Sequence, residues 1–197
     1  MHQHYYSTDP QSVSKPQFLE TTVRGIQLRL KTDTGVFSKD KVDKGSRLLA
    51  ETVPINAEDL ILDLGCGYGV IGLTLAALAP ASQVLLVDVN TRSLELAQEN
   101  AKLNGLTNVS FRYSDGFAVL EETFDLIVTN PPIRAGKGVY YPFVDGAFDH
   151  LCPGGRFATV IQTKQGAKSF AKKIEAVFGN VATLAKSGGY RVLVALK

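Results

Sequence analysis

Apolar and polar positions follow two different periods along this chain. Between residues 18 and 31 they roughly alternate, as Phe18-Leu19-Glu20-Thr21-Thr22-Val23 and Ile26-Gln27-Leu28-Arg29-Leu30 on either side of Arg24-Gly25. Alternation around a glycine-bearing dipeptide predicts an N-terminal β-hairpin. Residues 1–15 are polar and read as a loosely held lead-in, and residues 32–42 read as a loop. Asp43 is placed to cap a helix that carries Leu48, Leu49 and Val53 and stops near Pro54.

From Asp59 the pattern becomes strand, helix, strand, helix. Apolar runs predict strands at 60–64, 83–87, 109–113, 124–129, 156–162, 181–185 and 190–196. Helices are predicted at 70–78, 91–103, 144–151 and 165–178, with residues 130–142 as a loop and Pro153-Gly154-Gly155 as a turn. Alternating units of this kind imply right-handed crossovers and an α/β, Rossmann-like, doubly wound sheet of seven strands. The last two strands are joined by little more than Ser187-Gly188-Gly189, too short for a parallel crossover. The sheet is therefore expected to be mostly parallel with an antiparallel last strand. The whole chain reads as one domain, with residues 1–54 an N-terminal extension and lid and 55–197 the core.

Composition narrows the class. No apolar run among the 197 residues reaches the ~18 needed to span a bilayer. The N-terminal stretch has no apolar signal region. Cys66 and Cys152 form neither a disulfide framework nor a metal spacing, and His2, His4 and His150 form no ligand set. Both cysteines read as small packed residues and all three histidines as non-catalytic. The expectation is a cytoplasmic protein without a metal or a membrane partner. The net charge of +2 hides a segregation: +3 over residues 1–50, −8 over 51–130 and +7 over 131–197. Basic flanks around an acidic middle would attract a polyanion if they converge in space.

The chemistry concentrates in two apolar runs. The first, Ile61-Leu62-Asp63-Leu64, empties into Gly65-Cys66-Gly67-Tyr68-Gly69 and a helix. Such a turn brings backbone close to a ligand, and the following helix start offers unpaired N–H groups. The spacing is G-x-G-x-G, not the G-x-G-x-x-G of dinucleotide binders, and Asp63 precedes it. A carboxylate there would repel a pyrophosphate and suit an ammonium. Asp88 ends the second strand, where ribose hydroxyls are commonly bound, with Val89 and Asn90 following. Asp115 follows the third strand in Asp115-Gly116-Phe117, where a carboxylate can meet an exocyclic adenine amine and Phe117 can cover the ring. Three carboxylates at three successive strand ends describe a site for a positively charged nucleoside.

On these residues the chain resembles the class I S-adenosylmethionine-dependent methyltransferases. More narrowly it resembles the catalytic domain of the small-subunit (16S) ribosomal RNA guanine-N2 methyltransferase C family. The resemblance runs over almost the whole chain: His4-Tyr5-Tyr6-Ser7, Gly35-Val36-Phe37-Ser38-Lys39-Asp40, Asp43-Lys44-Gly45-Ser46-Arg47-Leu48-Leu49, the glycine turn, Asp115-Gly116-Phe117, Asn130-Pro131-Pro132 and Thr163-Lys164-Gln165-Gly166-Ala167. It implies S-adenosylmethionine as cofactor, held by Asp63, Gly65, Cys66, Gly67, Gly69, Asp88, Val89, Asn90, Asp115, Gly116, Phe117, Asn130, Phe37 and Ser38. It implies rRNA, alone or within a ribosomal subunit or its precursor, as partner. Larger members of that family carry a second, degenerate N-terminal domain that is not seen in these 197 residues.

The second run, Leu126-Ile127-Val128-Thr129, ends in Asn130-Pro131-Pro132-Ile133. An exocyclic base amine is a poor nucleophile, because its lone pair is delocalised into the ring. Two acceptors aimed at its N–H bonds can hold it as positive charge develops. Asn130 Oδ1 and the Pro131 carbonyl are the candidates, with Pro132 restricting the direction of that carbonyl. In the wider amine-methylating class the fourth position is usually aromatic and stacks on the target ring; here it is Ile133, and Phe37, Tyr140 or Tyr141 could take that place. Arg134, Lys137, Tyr140 and Lys164 are the expected RNA contacts, and Lys164, Lys168 and Lys172 recur on one helical face. Other readings remain: a glutamine amide or a DNA amine as acceptor, a nicotinamide oxidoreductase, or a silent RNA-binding module.

Overall fold

The structure, a computed structural model, describes residues 12–197. His2 and the His4-Tyr5-Tyr6-Ser7 stretch lie outside the described residues. The hairpin forms from β1 (Gln17–Val23) and β2 (Ile26–Thr32), paired antiparallel in register from Gln17 with Thr32 to Val23 with Ile26. Its two-residue turn needs positive φ at both positions to match the strand twist, and Arg24 (50°) and Gly25 (81°) supply it. Helix α1 (Lys44–Thr52) is capped by Asp43, whose carboxylate accepts from the Gly45 and Ser46 N–H groups. Three arginine contacts dock α1 on the hairpin: Arg47 donates to the Thr22 carbonyl (2.6 Å) and to Thr21 Oγ1, and Arg24 to the Val53 carbonyl (2.8 Å).

The core then runs β3 (Leu60–Leu64), α2 (Val70–Leu78), β4 (Gln83–Asp88), α3 (Thr91–Leu103), β5 (Val109–Tyr113), β6 (Phe124–Thr129), α4 (Lys137–Tyr140), α5 (Pro142–His150), β7 (Leu151–Gln162), α6 (Ala167–Phe178), β8 (Ala182–Ser187) and β9 (Tyr190–Leu196). The strands make one seven-stranded sheet in the order β5-β4-β3-β6-β7-β9-β8. All pairs are parallel except those of β9, which runs antiparallel to both β7 and β8. The expected fold class and the antiparallel last strand are both present. Side chains alternate between the faces: Ile61, Leu126 and Val128 pack with α1, α2, α3 and the hairpin, whereas Leu62, Leu64 and Ile127 pack with α4, α5 and α6.

Two asparagines one helical turn apart fasten the hairpin to α3. Asn100 accepts from the Lys31 N–H and donates to the Lys31 carbonyl, and Asn104 does the same to Arg29. Each side-chain amide mimics the donor and acceptor of a strand neighbour, so β2 has a partner along its otherwise open edge. The loop that follows β2 is thereby held over the sheet.

Some boundaries differ from the sequence expectation. The Pro153-Gly154-Gly155 turn lies inside β7, which starts at Leu151 rather than Arg156. Gly154 N–H donates to the Lys197 carbonyl and Lys197 N–H to the Gly155 carbonyl, so the glycines pair with the last residue. The loop of residues 130–142 contains a 3-10 turn at Ile133–Ala135 and the short α4. Helix α5 begins earlier than expected, with Pro142 at its first position, where a missing N–H costs nothing. Helix α6 begins two residues later, after a 3-10 turn at Thr163–Gln165.

Gly72, in the first turns of α2, tests how tightly this helix sits on the sheet. A Cβ there would lie 2.9 Å from Asp63 Oδ2 and 2.9 Å from the buried Leu86 side chain. Gly72→Ala gains about 1 kcal/mol of helix propensity but is expected to lose about 1–3 kcal/mol to overpacking. The urea midpoint should fall. A midpoint above that of the parent protein would contradict the packing described.

Candidate active site

Strands β3 and β6 are parallel neighbours with Asp63 opposite Val128. Their C-terminal ends therefore leave the sheet side by side, the first into the glycine turn and the second into Asn130-Pro131-Pro132. Strand order reverses between them, which is where open α/β sheets place their ligands. A buried hydrogen bond from Thr129 Oγ1 to the Leu64 carbonyl (2.7 Å) ties the two crests together.

The glycine turn is built from backbone. Gly65 and Cys66 N–H groups both donate to the Val87 carbonyl at 2.9 Å, and Gly67 N–H donates to Asp88 Oδ2 at 2.8 Å. Gly67 (φ 56°) and Gly69 (φ 96°) occupy left-handed backbone that favours glycine. The other Asp88 oxygen accepts from Asn90 N–H (2.8 Å). Burial pushes the Asp88 carboxyl above its ordinary value, against the pull of these backbone bonds.

A cavity of about 430 Å³ lies over these crests. The glycine turn, the start of α2, Asp88, Val89, Ser114, Asp115, Gly116 and Phe143 line it, as do Asn130, Pro131 and Pro132. The loop between β2 and α1 contributes Phe37 and Ser38, the cap residue Asp43 lines it too, and α1 contributes Ser46. Among the described residues that line it are three carboxylates and no basic side chain. A second cavity, of about 310 Å³, adjoins it and shares Phe37, Ser38, Asp43, Asn130 and Pro131. Its own walls include Ile133, Arg134, Gln162, Gln165 and Tyr190. Asn130 and Pro131 thus stand at a junction between an acidic chamber and a mixed one.

The Asn130 amide is held from behind: Nδ2 donates to Ser46 Oγ (2.9 Å) and Asp43 Oδ2 (3.1 Å). The Pro131 carbonyl already accepts from Ile133 N–H (2.8 Å), a three-residue turn that leaves one of its lone pairs for another donor. The lid is tied down from below. Tyr68 Oη donates to the Ser38 carbonyl (3.2 Å), Asn90 Nδ2 to the Gly35 carbonyl (3.0 Å) and Arg92 to the Thr34 carbonyl (2.8 Å). Ser38 itself has φ 54°, a strained conformation for a residue with a side chain.

Several expected site residues sit elsewhere. Asp63 is buried behind the turn and is not part of the cavity lining: Oδ2 accepts from Gly72 N–H (2.7 Å), and Oδ1 has no partner. Asn90 is fully buried and serves as the α3 cap and the lid tether. Gly69 caps α2 and is likewise not in the lining. Phe117 turns away, stacked on the His150 ring with centroids 4.6 Å apart, because Gly146 opens a slot for it. Phe143, beside Gly116, lines the cavity where Phe117 was expected. Tyr140, expected to meet substrate, is 2% exposed and packs edge-on against Tyr141 and Phe170. Of the three aromatics offered for stacking, Phe37 lines both cavities. Arg134 lines the second cavity, Lys137 lies over the Tyr141 ring, and Lys164 is exposed beside Gln165.

Phe143, Tyr190, Gln162 and Ser46 are site residues that the sequence reading did not pick out. Ser46 alone left a signal, as the fourth residue of Asp43-Lys44-Gly45-Ser46. Cys66 lines the cavity, but burial pushes its thiol well above the ordinary value, so it is no ready nucleophile. His150 places its two ring nitrogens against the Gly146 and Leu120 carbonyls, away from the cavity. Among the described residues no cluster of three or more His, Cys, Asp or Glu side chains is arranged for a metal ion. No helix among them is long and apolar enough to cross a membrane.

Residues 27–194 match the methyltransferase small domain family. The chain belongs to that family. It is 43% identical over 200 residues to an uncharacterized Bacillus subtilis protein, YbxB, covering 100% of each chain. Ribosomal RNA small subunit methyltransferase C of Salmonella choleraesuis is 32% identical over 169 residues, covering 84% of this chain and 48% of the relative. Among solved structures, a T. thermophilus 16S rRNA N2-guanine methyltransferase in complex with AdoMet and guanosine superposes with a TM-score of 0.83. It is 32% identical and matches 95% of this chain but 52% of its own. The chain thus spans about half the length of these ribosomal RNA methyltransferases.

The buried Asp63 carboxyl gives a pH signature. Burial, offset in part by the Gly72 N–H and reinforced by nearby Asp88, raises it to about 7. Its unfolded value is about 4. Between these values the folded state binds more protons than the unfolded one, so this group's contribution falls as pH rises through that window. Relative to Asp63→Asn, the parent protein should lose stability in denaturant titrations between pH 5 and pH 8. A difference that stays flat or grows with pH would contradict this placement.

Proposed function

We propose that this chain transfers a methyl group from S-adenosylmethionine to an exocyclic base amine of ribosomal RNA, guanine N2 of small-subunit rRNA being the favoured target. The observation that carries the reading is the shared wall of the two cavities. Asn130 and Pro131 line both cavities, and this reading assigns the donor to the first and the acceptor base to the second.

The first cavity fits the donor chemically. Asp88 and Asp115 can accept from ribose hydroxyls and an adenine amine, and Phe143 offers a ring face to the base. An acidic lining suits a sulfonium and an ammonium and opposes the pyrophosphate of a nicotinamide dinucleotide. The start of α2, where Val70 and Ile71 line the wall, favours a carboxylate. When bound, S-adenosylmethionine supplies an electrophilic methyl and its own leaving group.

This chain's residues then position the nucleophile. Asn130 Oδ1 and the free lone pair on the Pro131 carbonyl accept from the two amine hydrogens. These bonds strengthen as the nitrogen becomes cationic, so they favour the transition state over the ground state. No strong base is needed, because the amine becomes acidic only after methylation. The second cavity is sized for a base taken out of its stack, with Phe37 and Ile133 as apolar walls and Arg134 at its edge. Arg134, Lys137 and Lys164 meet phosphates and set the register of the RNA. Family membership and likeness to a guanine-N2 methyltransferase support the choice of guanine.

The test is methyl incorporation from labelled S-adenosylmethionine into rRNA of cells lacking the protein, with the product identified by nucleoside mass spectrometry. N2-methylguanosine is the expected product. Asn130→Ala should lower turnover by about 10²–10³-fold, well beyond any loss of donor affinity. Methylation of DNA or of a glutamine amide instead would overturn the RNA assignment. Undiminished turnover by Asn130→Ala would remove the amine-acceptor mechanism.

Arg134→Ala should weaken RNA binding about uniformly across sequences and reduce the salt slope of log affinity by about 1. An unchanged slope would place Arg134 off the RNA path.

A further inference from the structure

A side-chain amide has two ends of nearly equal shape, and only its partners decide which end faces a ligand. The proposed chemistry requires the oxygen end of Asn130 to face the amine. We infer that Asp43 is the positioning residue that sets this orientation, acting through Asn130; the inference rests on the amine-acceptor reading of that residue.

Asp43 Oδ2 accepts from Asn130 Nδ2 at 3.1 Å, and Ser46 Oγ accepts from the same nitrogen at 2.9 Å. A carboxylate can only accept, so the nitrogen end is committed to α1 and the oxygen end is left for the cavity. Asp43 is itself fixed from two sides. Its Oδ2 accepts from the Gly45 (2.8 Å) and Ser46 (3.0 Å) N–H groups, at the positive end of the α1 dipole. Its Oδ1 accepts from Tyr190 Oη (3.4 Å), which accepts in turn from Gln162 Nε2 (2.8 Å). Gly45 is required between them, since a Cβ there would lie 2.9 Å from both Asp43 Oδ2 and the Tyr190 ring. A helix cap, a catalytic-site amide and a wall of the second cavity therefore share one carboxylate.

Capping and positioning can be separated, because Ser and Asn cap helices about equally well but differ in reach. Asp43→Asn keeps an oxygen able to accept from the α1 N–H groups and from Asn130. Asp43→Ser keeps an oxygen for the cap only. Both variants should melt close together. Asp43→Asn should retain kcat within about tenfold, and Asp43→Ser should lose about a hundredfold in kcat with a smaller change in KM. In an Asn130→Ala background Asp43→Ser should cost nothing further. Ser46→Ala, which leaves the cap intact, should lose about tenfold or less.

A readout independent of turnover is the side-chain amide resonance pair of Asn130 in 15N-resolved NMR. It should be shifted and slowly exchanging in the parent protein and in Asp43→Asn, and should move to free-amide values in Asp43→Ser. Equal kcat in the Ser and Asn variants, with unchanged Asn130 amide signals, would overturn the inference. Absence of turnover in the parent protein would remove the methyl-transfer reading instead, and the amide signals would still decide the role of Asp43.

Discussion

The site depends on the parallel pairing of β3 with β6. Each strand is short and apolar, and each ends in a turn that cannot continue the ladder: glycines after Leu64, prolines after Asn130. Because the register sets Asp63 against Val128, both turns rise from the sheet at the same height. Thr129 Oγ1 satisfies the Leu64 carbonyl at the point where the strands end, so the crests are not free to splay. A one-residue slip would turn Thr129 and the side chains of β6 to the opposite face of the sheet. The glycine turn and Asn130-Pro131-Pro132, separated by about sixty residues in sequence, are neighbours because of this pairing.

The rest of the molecule arranges charge around that junction. Asp63, Asp88 and Asp115 lie on β3, at the end of β4 and just past β5. Basic Arg134, Lys164 and Arg191 lie on the β6–β7–β9 side; Arg191 Nε donates to Thr163 Oγ1, beside Lys164. Asp88 and Asp115 thus face the first cavity from the β3–β4–β5 side, and Arg134 faces the second from the β6–β7–β9 side. The hairpin contributes no wall of its own. It presents the lid loop, and two asparagine amides on α3 hold it there.

How much of this was legible in the sequence depended on how local the determinant was. Strand and helix periods, Asp43 as a cap, the Arg24-Gly25 turn and the antiparallel last strand follow from short-range rules, and they stand in the structure. The glycine turn and Asn130-Pro131-Pro132 were legible because their residue types are forced by backbone geometry and lost donors. Side-chain direction was not legible. Phe117 has the position expected of a ring over the cofactor, but Gly146 on a distant helix opens a slot on the other side and Phe143 fills the cavity instead. Tyr140 sits in a loop rich in candidate contacts, yet Phe170 and Tyr141 bury it. Asp63 precedes the glycines, but strand alternation turns it beneath α2 to meet Gly72 rather than into the cavity. Phe117 and Tyr140 are held by residues about thirty positions away, and Asp63 by the parity of its strand.

The junction of the two cavities is proposed to hold a sulfonium donor on one side and a purine amine on the other. A crystal structure of this protein with S-adenosylhomocysteine and guanosine tests it most directly. The adenine should lie beside Phe143 and Asp115, the guanine in the cavity lined by Gln162 and Tyr190, and its N2 within hydrogen-bond distance of Asn130 Oδ1. Guanosine bound elsewhere, or an Asn130 amide presenting nitrogen to the base, would contradict it.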